Sequence, residues 1–352
     1  LDDVIALDYS LVNISDYSMS DEFAPMAKNI VEPKRFYMMT SRGCPYTCAF
    51  CFRSRENDPR MQFASVDAVI NQVKYLKDNY GLNIVSFIDD QIMINKPRAK
   101  EILRQLAPLN IRLEIQQGVG TAFIDEEMVD LMVKAGMVRI LLNIESGSQE
   151  MLSKMVNKPV SLDTSREIIK VIRSYGVWTT AIFVCGFPGE TDAHRKEQLE
   201  WIDSTELDWC KFNAAQPHPG TKMYDLCVEN GYIKAGMKLG EVDYGNYFIE
   251  VPGYPAEYVR DQIYKMDLQV NFVNNRQMRR GDYQTAATVF QLIIDDIYQD
   301  QAFAHYYLAE CYKKLDRPDA ARMERNRFDV ILMNNPKWRE YAKFFGIGAV
   351  EG

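Results

Sequence analysis

The sequence predicts an α/β protein: a partial or full β/α barrel followed by a helical repeat domain. Three observations carry this. Between Phe36 and Asn213 short apolar runs alternate six times with amphipathic segments, the pattern of a parallel sheet with crossover helices. No G-x-G-x-x-G follows the first run, which favours a barrel over a dinucleotide-binding sheet. Beyond Pro219 the alternation stops, and the chain turns helical and repetitive.

Residues 1–34 read as an irregular lead-in rich in Asp, Ser and Pro. Strands are expected at Phe36–Thr40, Ile84–Ile88, Arg112–Gln116, Val138–Ile144, Thr179–Cys185 and Trp209–Asn213. Helices are expected at Val66–Asn79, Lys96–Leu106, Glu126–Ala135, Gln149–Met155, Leu162–Tyr175 and Asp192–Ser204. In such a fold the chemistry sits at the C-terminal strand ends. Residues 35–235 are assigned to this core, and 236–275 to an extension with a Gly/Tyr-rich stretch at Gly240–Pro255.

Residues 276–352 are assigned to tetratricopeptide-like repeats. Gly281-Asp282-Tyr283-Gln284-Thr285-Ala286-Ala287 is echoed by Leu315-Asp316-Arg317-Pro318-Asp319-Ala320-Ala321, 34 residues on, which is the period of that repeat. Tyr307–Tyr312 fits the first helix of the second unit, and Asn335-Pro336 its close. About two units fit in 276–346. Two units expose much apolar face, so they are expected to pack on the barrel or on a partner. A plain helical cap is the alternative.

The 352 residues are 47% hydrophobic and 26% charged, with a net charge of -8, an ordinary soluble composition. No run reaches the ~18 apolar residues of a membrane span. The acidic start, Leu1-Asp2-Asp3, has no basic region of a secretory signal. A cytoplasmic protein is expected, without a membrane partner. The acidic balance also argues against nucleic acid, because phosphate backbones call for clustered Lys and Arg. The basic stretches, Arg276–Arg280 and Arg322–Arg327, are short. The chain begins without Met and is expected to start inside a longer gene product.

Seven cysteines are present, and Cys44, Cys48 and Cys51 fall within eight residues after the first strand. Cys185, Cys210, Cys227 and Cys311 are scattered, unlike a secreted disulfide framework. Thiolates are soft ligands for iron–sulfur clusters and zinc. Three close thiolates suit three irons of a cubane and leave the fourth open. An open iron is a place for chemistry, as the open position is in catalytic zinc sites. A zinc knuckle needs a fourth nearby ligand, and no Cys or His follows Cys51 before Cys185. Chance clustering of buried cysteines is the remaining alternative.

Cys44-x3-Cys48-x-Phe50-Cys51 after the first strand resembles the radical S-adenosylmethionine (SAM) enzymes. The resemblance implies a partial (β/α)6 barrel of radical SAM type and a [4Fe-4S] cluster on Cys44, Cys48 and Cys51. It implies SAM on the fourth iron, held through its amino and carboxylate groups. It further implies a single-electron donor such as flavodoxin or ferredoxin, cleavage of SAM to a 5′-deoxyadenosyl radical, and hydrogen abstraction from an unactivated carbon. Such a protein is oxygen-sensitive. It has to exclude water and hold the target close, while the cofactor supplies the hard chemistry.

Further blocks resemble one branch of that superfamily, often joined to a cobalamin-binding domain. They are Phe87-Ile88-Asp89-Asp90, Ile144-Glu145-Ser146-Gly147-Ser148, Gly186-Phe187-Pro188-Gly189-Glu190-Thr191 and Pro217-His218-Pro219-Gly220-Thr221, with Tyr224 beyond. The lead-in resembles the linker from the cobalamin domain. By this resemblance Asp89 and Asp90 stand near the methionine end of SAM, and Glu145 and Ser146 meet its ribose or amino acid part. Gly186 lets backbone approach the adenosine closely, and Phe50 offers backbone hydrogen bonds to adenine. Glu190 touches SAM or, with Thr191, caps the following helix. The alternative for Asp89, Asp90 and Glu145 is a solvated loop charge or a helix N-cap. His218 faces substrate or has a plain loop role.

The sequence also departs from the branch. Gly120 and Ala122 occupy the usual R-x-D positions, and Asn143 stands where Gly is common. Asp192-Ala193-His194 starts a D-x-H-x-x-G cobalamin signature, but Glu197 replaces its glycine. Residues 1–34 are too few for a cobalamin-binding domain. Cobalamin would therefore come from upstream sequence or sit in the barrel without the signature. The expected function is a cobalamin-linked C-methylation of a biosynthetic intermediate, on a small-molecule or carrier-bound substrate, with a protein partner at the repeats. The alternatives are a cobalamin-independent oxidoreductase, ring-forming or rearrangement enzyme, and a repeat adaptor with a degenerate barrel.

Overall fold

A computed structural model describes residues 1–5, 7–14, 34–53, 60–233 and 247–348. Most of the lead-in, part of the Gly240–Pro255 stretch and the last four residues lie outside the described residues. The strands in chain order are β1 (Arg35–Met38), β2 (Ser41–Arg42), β3 (Gln62–Phe63), β4 (Ile84–Phe87), β5 (Arg112–Ile115), β6 (Arg139–Glu145), β7 (Trp178–Cys185) and β8 (Trp209–Ala214). The order β1-β4-β5 forms one parallel sheet and β6-β7-β8 a second; β2 and β3 pair antiparallel beside the cysteine motif.

All six expected strands form, with ends moved by two residues or fewer. The expected continuous sheet is seen as two sheets joined by one parallel bridge, Val119–Leu142. The reason is local. After β5 the chain turns at Gly118, with φ +73°, and only Val119 returns to extend along β6.

The crossovers are α2 (Val66–Tyr80), α3 (Lys96–Leu106), α4 (Glu126–Lys134), α5 (Gln149–Met155), α6 (Leu162–Ser174) and α7 (Asp192–Asp203). The local code is plain in α2. Ser65 Oγ accepts from Ala68 N, and Gly81 closes the helix at φ +70°, the N-cap and C-cap preferences. Val69, Ile70, Val73 and Leu76 recur at helical spacing and are buried, each worth about 1.5–3 kcal/mol of burial.

The first sheet also buries charge. Glu114 accepts from Arg35 Nε at 3.0 Å and from Ser86 Oγ at 2.7 Å. Burial would raise the Glu114 carboxyl, but these bonds outweigh it and hold it below the ordinary range.

After α8 (Lys222–Glu229) come α9 (Ala256–Leu268), a π-turn (Gln269–Val273), α10 (Arg276–Arg279), α11 (Tyr283–Leu292), α12 (Ala302–Lys314), α13 (Pro318–Asn334) and α14 (Pro336–Phe344). The echoed segments open α11 and α13. The turns before them carry left-handed residues, Gly281 at φ +79° and Asp316 at φ +56°. These helices share an apolar core of their own, with Phe272, Phe290, Phe303, Phe328 and Trp338.

That core includes Trp178 of β7, so the helical region covers its apolar face on the second sheet. Asp208 fastens the junction, accepting from Thr179 N, Gln277 Nε2 and Arg280 Nη1, each at 2.8 Å. Asn271 accepts from Cys210 N at 2.9 Å and donates to Cys210 O at 2.8 Å, along the outer edge of β8. Helix α9 contributes to both cores, through Val259, Ile263 and Met266 on one side and Leu268 on the other. The lead-in is less irregular than expected: α1 (Asp2–Ile5) forms, and Asp2 accepts from Ser65 N at 2.7 Å. No helix among the described residues is long and apolar enough to cross a membrane.

Candidate active site

The cysteine loop leaves β1 and is tied down at both ends. At its start Asp89, buried just beyond β4, accepts from Thr40 N at 3.0 Å, Thr40 Oγ1 at 2.7 Å and Ser41 Oγ at 2.6 Å. Asp90 accepts from Gly43 N at 3.2 Å. Arg98 of α3 donates to Thr40 O and Ala64 O, both at 2.8 Å. Gly43 sits at φ +95°, and a Cβ there would lie 2.4 Å from Arg60 O, so the turn admits only glycine. At the far end Ala49 N donates to Met155 O at 3.0 Å, and Met223 N to Ala49 O at 2.9 Å. Asp89 and Asp90 thus hold the backbone that leads into the thiols, a role beyond the loop charge or N-cap considered from sequence.

All seven cysteines are free thiols. Burial pushes Cys48 up to about 12 and raises Cys44 and Cys51 as well. Negative charge on Cys51 raises Cys44, and charge on either raises Cys48, so the three thiols lie within electrostatic reach of one another. Lys158 acts in the opposite sense on all three. It follows α5 and is buried with Glu145, to which its Nζ is bonded. Burial would lower Lys158, but Glu145 and the thiols outweigh it and raise it, so it stays a cation. Beside it Asn157 Nδ2 donates to Thr47 Oγ1 at 2.5 Å.

Glu145 ends β6 at φ +69°, a left-handed conformation uncommon outside glycine and found where a site over-determines the backbone. The β6–β7 register shifts between Asn143 and Glu145, and Ser146 N turns back to Ile144 O at 2.9 Å. The turn continues with Ser148 N on Ser146 Oγ at 3.1 Å and Gly147 N on Gln198 Oε1 at 3.0 Å.

Among the described residues no three His, Cys, Asp or Glu side chains are arranged to hold a single metal ion. A cubane takes one thiolate per iron, so its ligands need not converge on one point. Three neighbouring soft thiols beside a cation therefore fit a cluster with one open iron, whose binding has to displace the thiol protons.

The next turn is packed by a residue from far along the chain. Gly186 lies at φ +83°, and a Cβ there would meet the Tyr247 ring at 2.5 Å. Tyr247 Oη donates to Gly186 O at 2.7 Å. One close approach that Gly186 permits is made by this tyrosine, 61 residues on. Glu190 accepts from Gly186 N at 2.9 Å and from Arg195 Nη1 at 3.0 Å. Burial pushes its carboxyl up and Arg195 opposes this. Its role here is to brace the turn. Thr191 and His194 form a capping box on α7.

Phe50 sets its ring 5.3 Å from that of Phe187. With Gln216 and His218 it lines a cavity of about 520 Å³ beside β8. Burial lowers His218. Gly120 and Ala122 flank Thr121 at the turn Thr121–Phe123, whose Phe123 ring lies 6.0 Å from Tyr46 of the cysteine loop. The structure thus brings together Cys44, Cys48, Cys51 and Glu145. Gly186 and Glu190 are on a neighbouring turn, and Asp89 lies behind the loop. Sequence reasoning missed Lys158, Arg98 and Tyr247. For Lys158 the available signal was an isolated lysine 13 residues past a strand-end glutamate.

Residues 38–202 match the family model described as the radical SAM superfamily. The chain is 27% identical over 246 residues to the cytidylyl-2-hydroxyethylphosphonate methyltransferase of Streptomyces wedmorensis, covering 68% of this chain and 46% of the relative. It is 25% identical to the anaerobic magnesium-protoporphyrin IX monomethyl ester cyclase of Cereibacter sphaeroides, covering 63% of this chain and 35% of the relative. The chain thus spans about half the length, or less, of the curated relatives it matches. The solved structure of TsrM from Kitasatospora setae, a radical SAM methyltransferase with cobalamin and a [4Fe-4S] cluster bound, aligns with a TM-score of 0.51 at 16% identity. That alignment covers 82% of this chain and 60% of TsrM, a likeness of fold.

Proposed function

We propose that this radical SAM enzyme carries out a cobalamin-linked C-methylation of a biosynthetic intermediate, on a [4Fe-4S] cluster held by Cys44, Cys48 and Cys51. The observation that carries the reading is the cysteine loop, tied down at both ends, with its three thiols close to one another and to the Lys158–Glu145 pair. The methyltransferase relative and the likeness to TsrM support the methylation subtype. When bound, cluster and SAM supply one-electron reductive cleavage and a 5′-deoxyadenosyl radical that abstracts hydrogen from an unactivated carbon.

The chain's own residues do the rest. Asp89, Asp90 and Arg98 fix the loop so that the thiols present a preformed ligand set. Lys158 offers a buried cation to the carboxylate of SAM, and Glu145 and Ser146 offer acceptors to its amino or ribose groups. Phe50, Phe187 and Tyr247 supply an apolar wall that keeps water from the reacting centre. A single-electron donor such as flavodoxin or ferredoxin supplies the electron. The substrate is a small molecule or one borne on a carrier, and the helical region, read as tetratricopeptide-like, is where a carrier or protein partner would dock. The intact thiol set leaves the adaptor-only reading without support.

A second reading, ring formation without cobalamin, is favoured by the likeness to the cyclase. Anaerobic protein should carry roughly four irons per chain and form 5′-deoxyadenosine from SAM and dithionite. With cobalamin and substrate, methyl transfer with S-adenosylhomocysteine release supports methylation. Stoichiometric 5′-deoxyadenosine without methyl transfer supports the second reading. A colourless, zinc-loaded protein defeats both.

A further inference from the structure

The cavity beside Phe50 has a wall that neither the cysteine motif nor the strand-end blocks explain. Helix α9 places Arg260, Ile263, Tyr264 and Asp267 on it, at i, i+3, i+4 and i+7 and so on one helix face. The facing walls include Val184 of β7 and Phe212 of β8, and Phe50, the residue before Cys51, closes the lining. About 520 Å³ is the size of a small-molecule site, and its surface is mostly apolar and aromatic.

Asp267 does not belong in such a wall on packing grounds. Among the described residues its one hydrogen-bond donor is Asn271 Nδ2, at 2.7 Å, and it has no ion pair. The second Asn271 Nδ2 hydrogen is spent on Cys210 O, and its oxygen on Cys210 N. Asn271 therefore orients the carboxylate without neutralising it. Arg260 lies two turns away, about 10 Å along the helix axis, and does not pair with it. Burial pushes the Asp267 carboxyl up to about 6, against the Asn271 bond. A carboxylate desolvated without a cation is unfavourable, and a bound cation at that point relieves the penalty.

We propose that Asp267 is the substrate-recognition residue of this site, and that the cavity takes a small molecule with an aromatic or aliphatic body and a protonated amine paired to the Asp267 carboxylate. The body packs among Phe212, Tyr264 and Phe50, in a cavity that reaches from α9 to the cysteine loop. The radical SAM reading enters only in making this ligand the substrate. SAM also carries an ammonium and a sulfonium, so the cation has two sources, and the test separates them.

Cluster-loaded wild-type and Asp267→Asn chains are titrated with 2-phenylethylamine, 2-phenylethanol and 3-phenylpropanoate by ligand-observed NMR, and with SAM by equilibrium dialysis. The expected result for the wild type is binding of the amine at least about tenfold tighter than the alcohol, equivalent to about 1.4 kcal/mol, with the acid weakest. In Asp267→Asn the amine preference disappears while SAM affinity stays within about twofold (0.4 kcal/mol). Equal binding of amine and alcohol by the wild type overturns the proposal, whether or not the variant folds. So does an amine preference that survives the substitution. A variant that weakens SAM as much as amine also overturns it, because the cation at Asp267 is then SAM's own. Iron content and 5′-deoxyadenosine yield are read on the same samples. If these fail while the amine preference holds, the enzyme reading falls and the amine site stands.

Discussion

The cysteine loop and the C-terminal helices are held by opposite kinds of force. The loop is fixed by hydrogen bonds from side chains 47 to 110 residues away, from Asp90 to Asn157. The helices are fixed by an aromatic core with Phe272, Phe290 and Phe303 in contact. Hydrogen bonds are directional and set where the thiols stand. Apolar burial is non-directional and supplies most of the stability. The difference teaches that position and stability are supplied by separate parts of this chain. Helix α9, which belongs to both cores, is where they meet.

The largest test of that division is Cys48→Ala. Cluster colour, iron content and SAM cleavage are expected to fall to background, while far-UV circular dichroism and the melting of the helical core stay as in the wild type. Joint loss would mean that the two regions are one cooperative unit. The converse test is Phe290→Ala, which removes a fully buried ring. It should cost about 3–5 kcal/mol in urea unfolding and leave iron per folded chain unchanged.

The junction gives a pH test. The Asp267 carboxyl is raised from 3.8 to about 6 in the folded chain. The unfolded chain loses that proton first, so the folded chain binds more protons in between. Stability from this group is present below pH ~4 and is lost as pH rises to about 6, by up to roughly 3 kcal/mol. Asp89, Glu190 and Asp208 are raised by burial too. The difference between wild type and Asp267→Asn isolates the one group: it should shift in the variant's favour between pH 4.5 and pH 7. Tyr264 and the Cys210 thiol, which also face Asp267, are neutral throughout that range. A flat difference would mean that Asp267 is not desolvated. The smallest effect is expected for Asp89→Asn, about 2 kcal/mol for bonds to a charged acceptor. Its signature is faster loss of iron to a chelator, with the helical core melting unchanged. Unaltered iron retention would show that the polar bonds do not position the thiols.

Much of the frame was legible in the sequence because its signals are local. Alternating apolar runs placed six strands and six helices to within two residues, and the spacing of Cys44, Cys48 and Cys51 marked the candidate site. What stayed hidden was decided at long range. Asp89 was legible as a strand-end carboxylate, but its turning back to Thr40 and Ser41 depends on the pairing of β1 with β4. Gly186 was legible as a place of close approach, yet the visitor, Tyr247, comes from a stretch without periodicity. Lys158 is an unremarkable lysine in one dimension, and only the left-handed end of β6 brings Glu145 to it. Asp267 sits on an amphipathic face where a charge every few residues is ordinary, and its partial burial follows from the docking of α9.

Asn271 carries a consequence for how this protein behaves in crowded solution. β8 is the last strand of its sheet, and the amide of Asn271 takes up the N–H and C=O of Cys210 as a neighbouring strand would. A sheet edge left open is a template on which a second chain can continue the ladder. At Cys210 one side chain from a helix makes the two bonds a ninth strand would have used there, so that point of the edge is closed to a second chain.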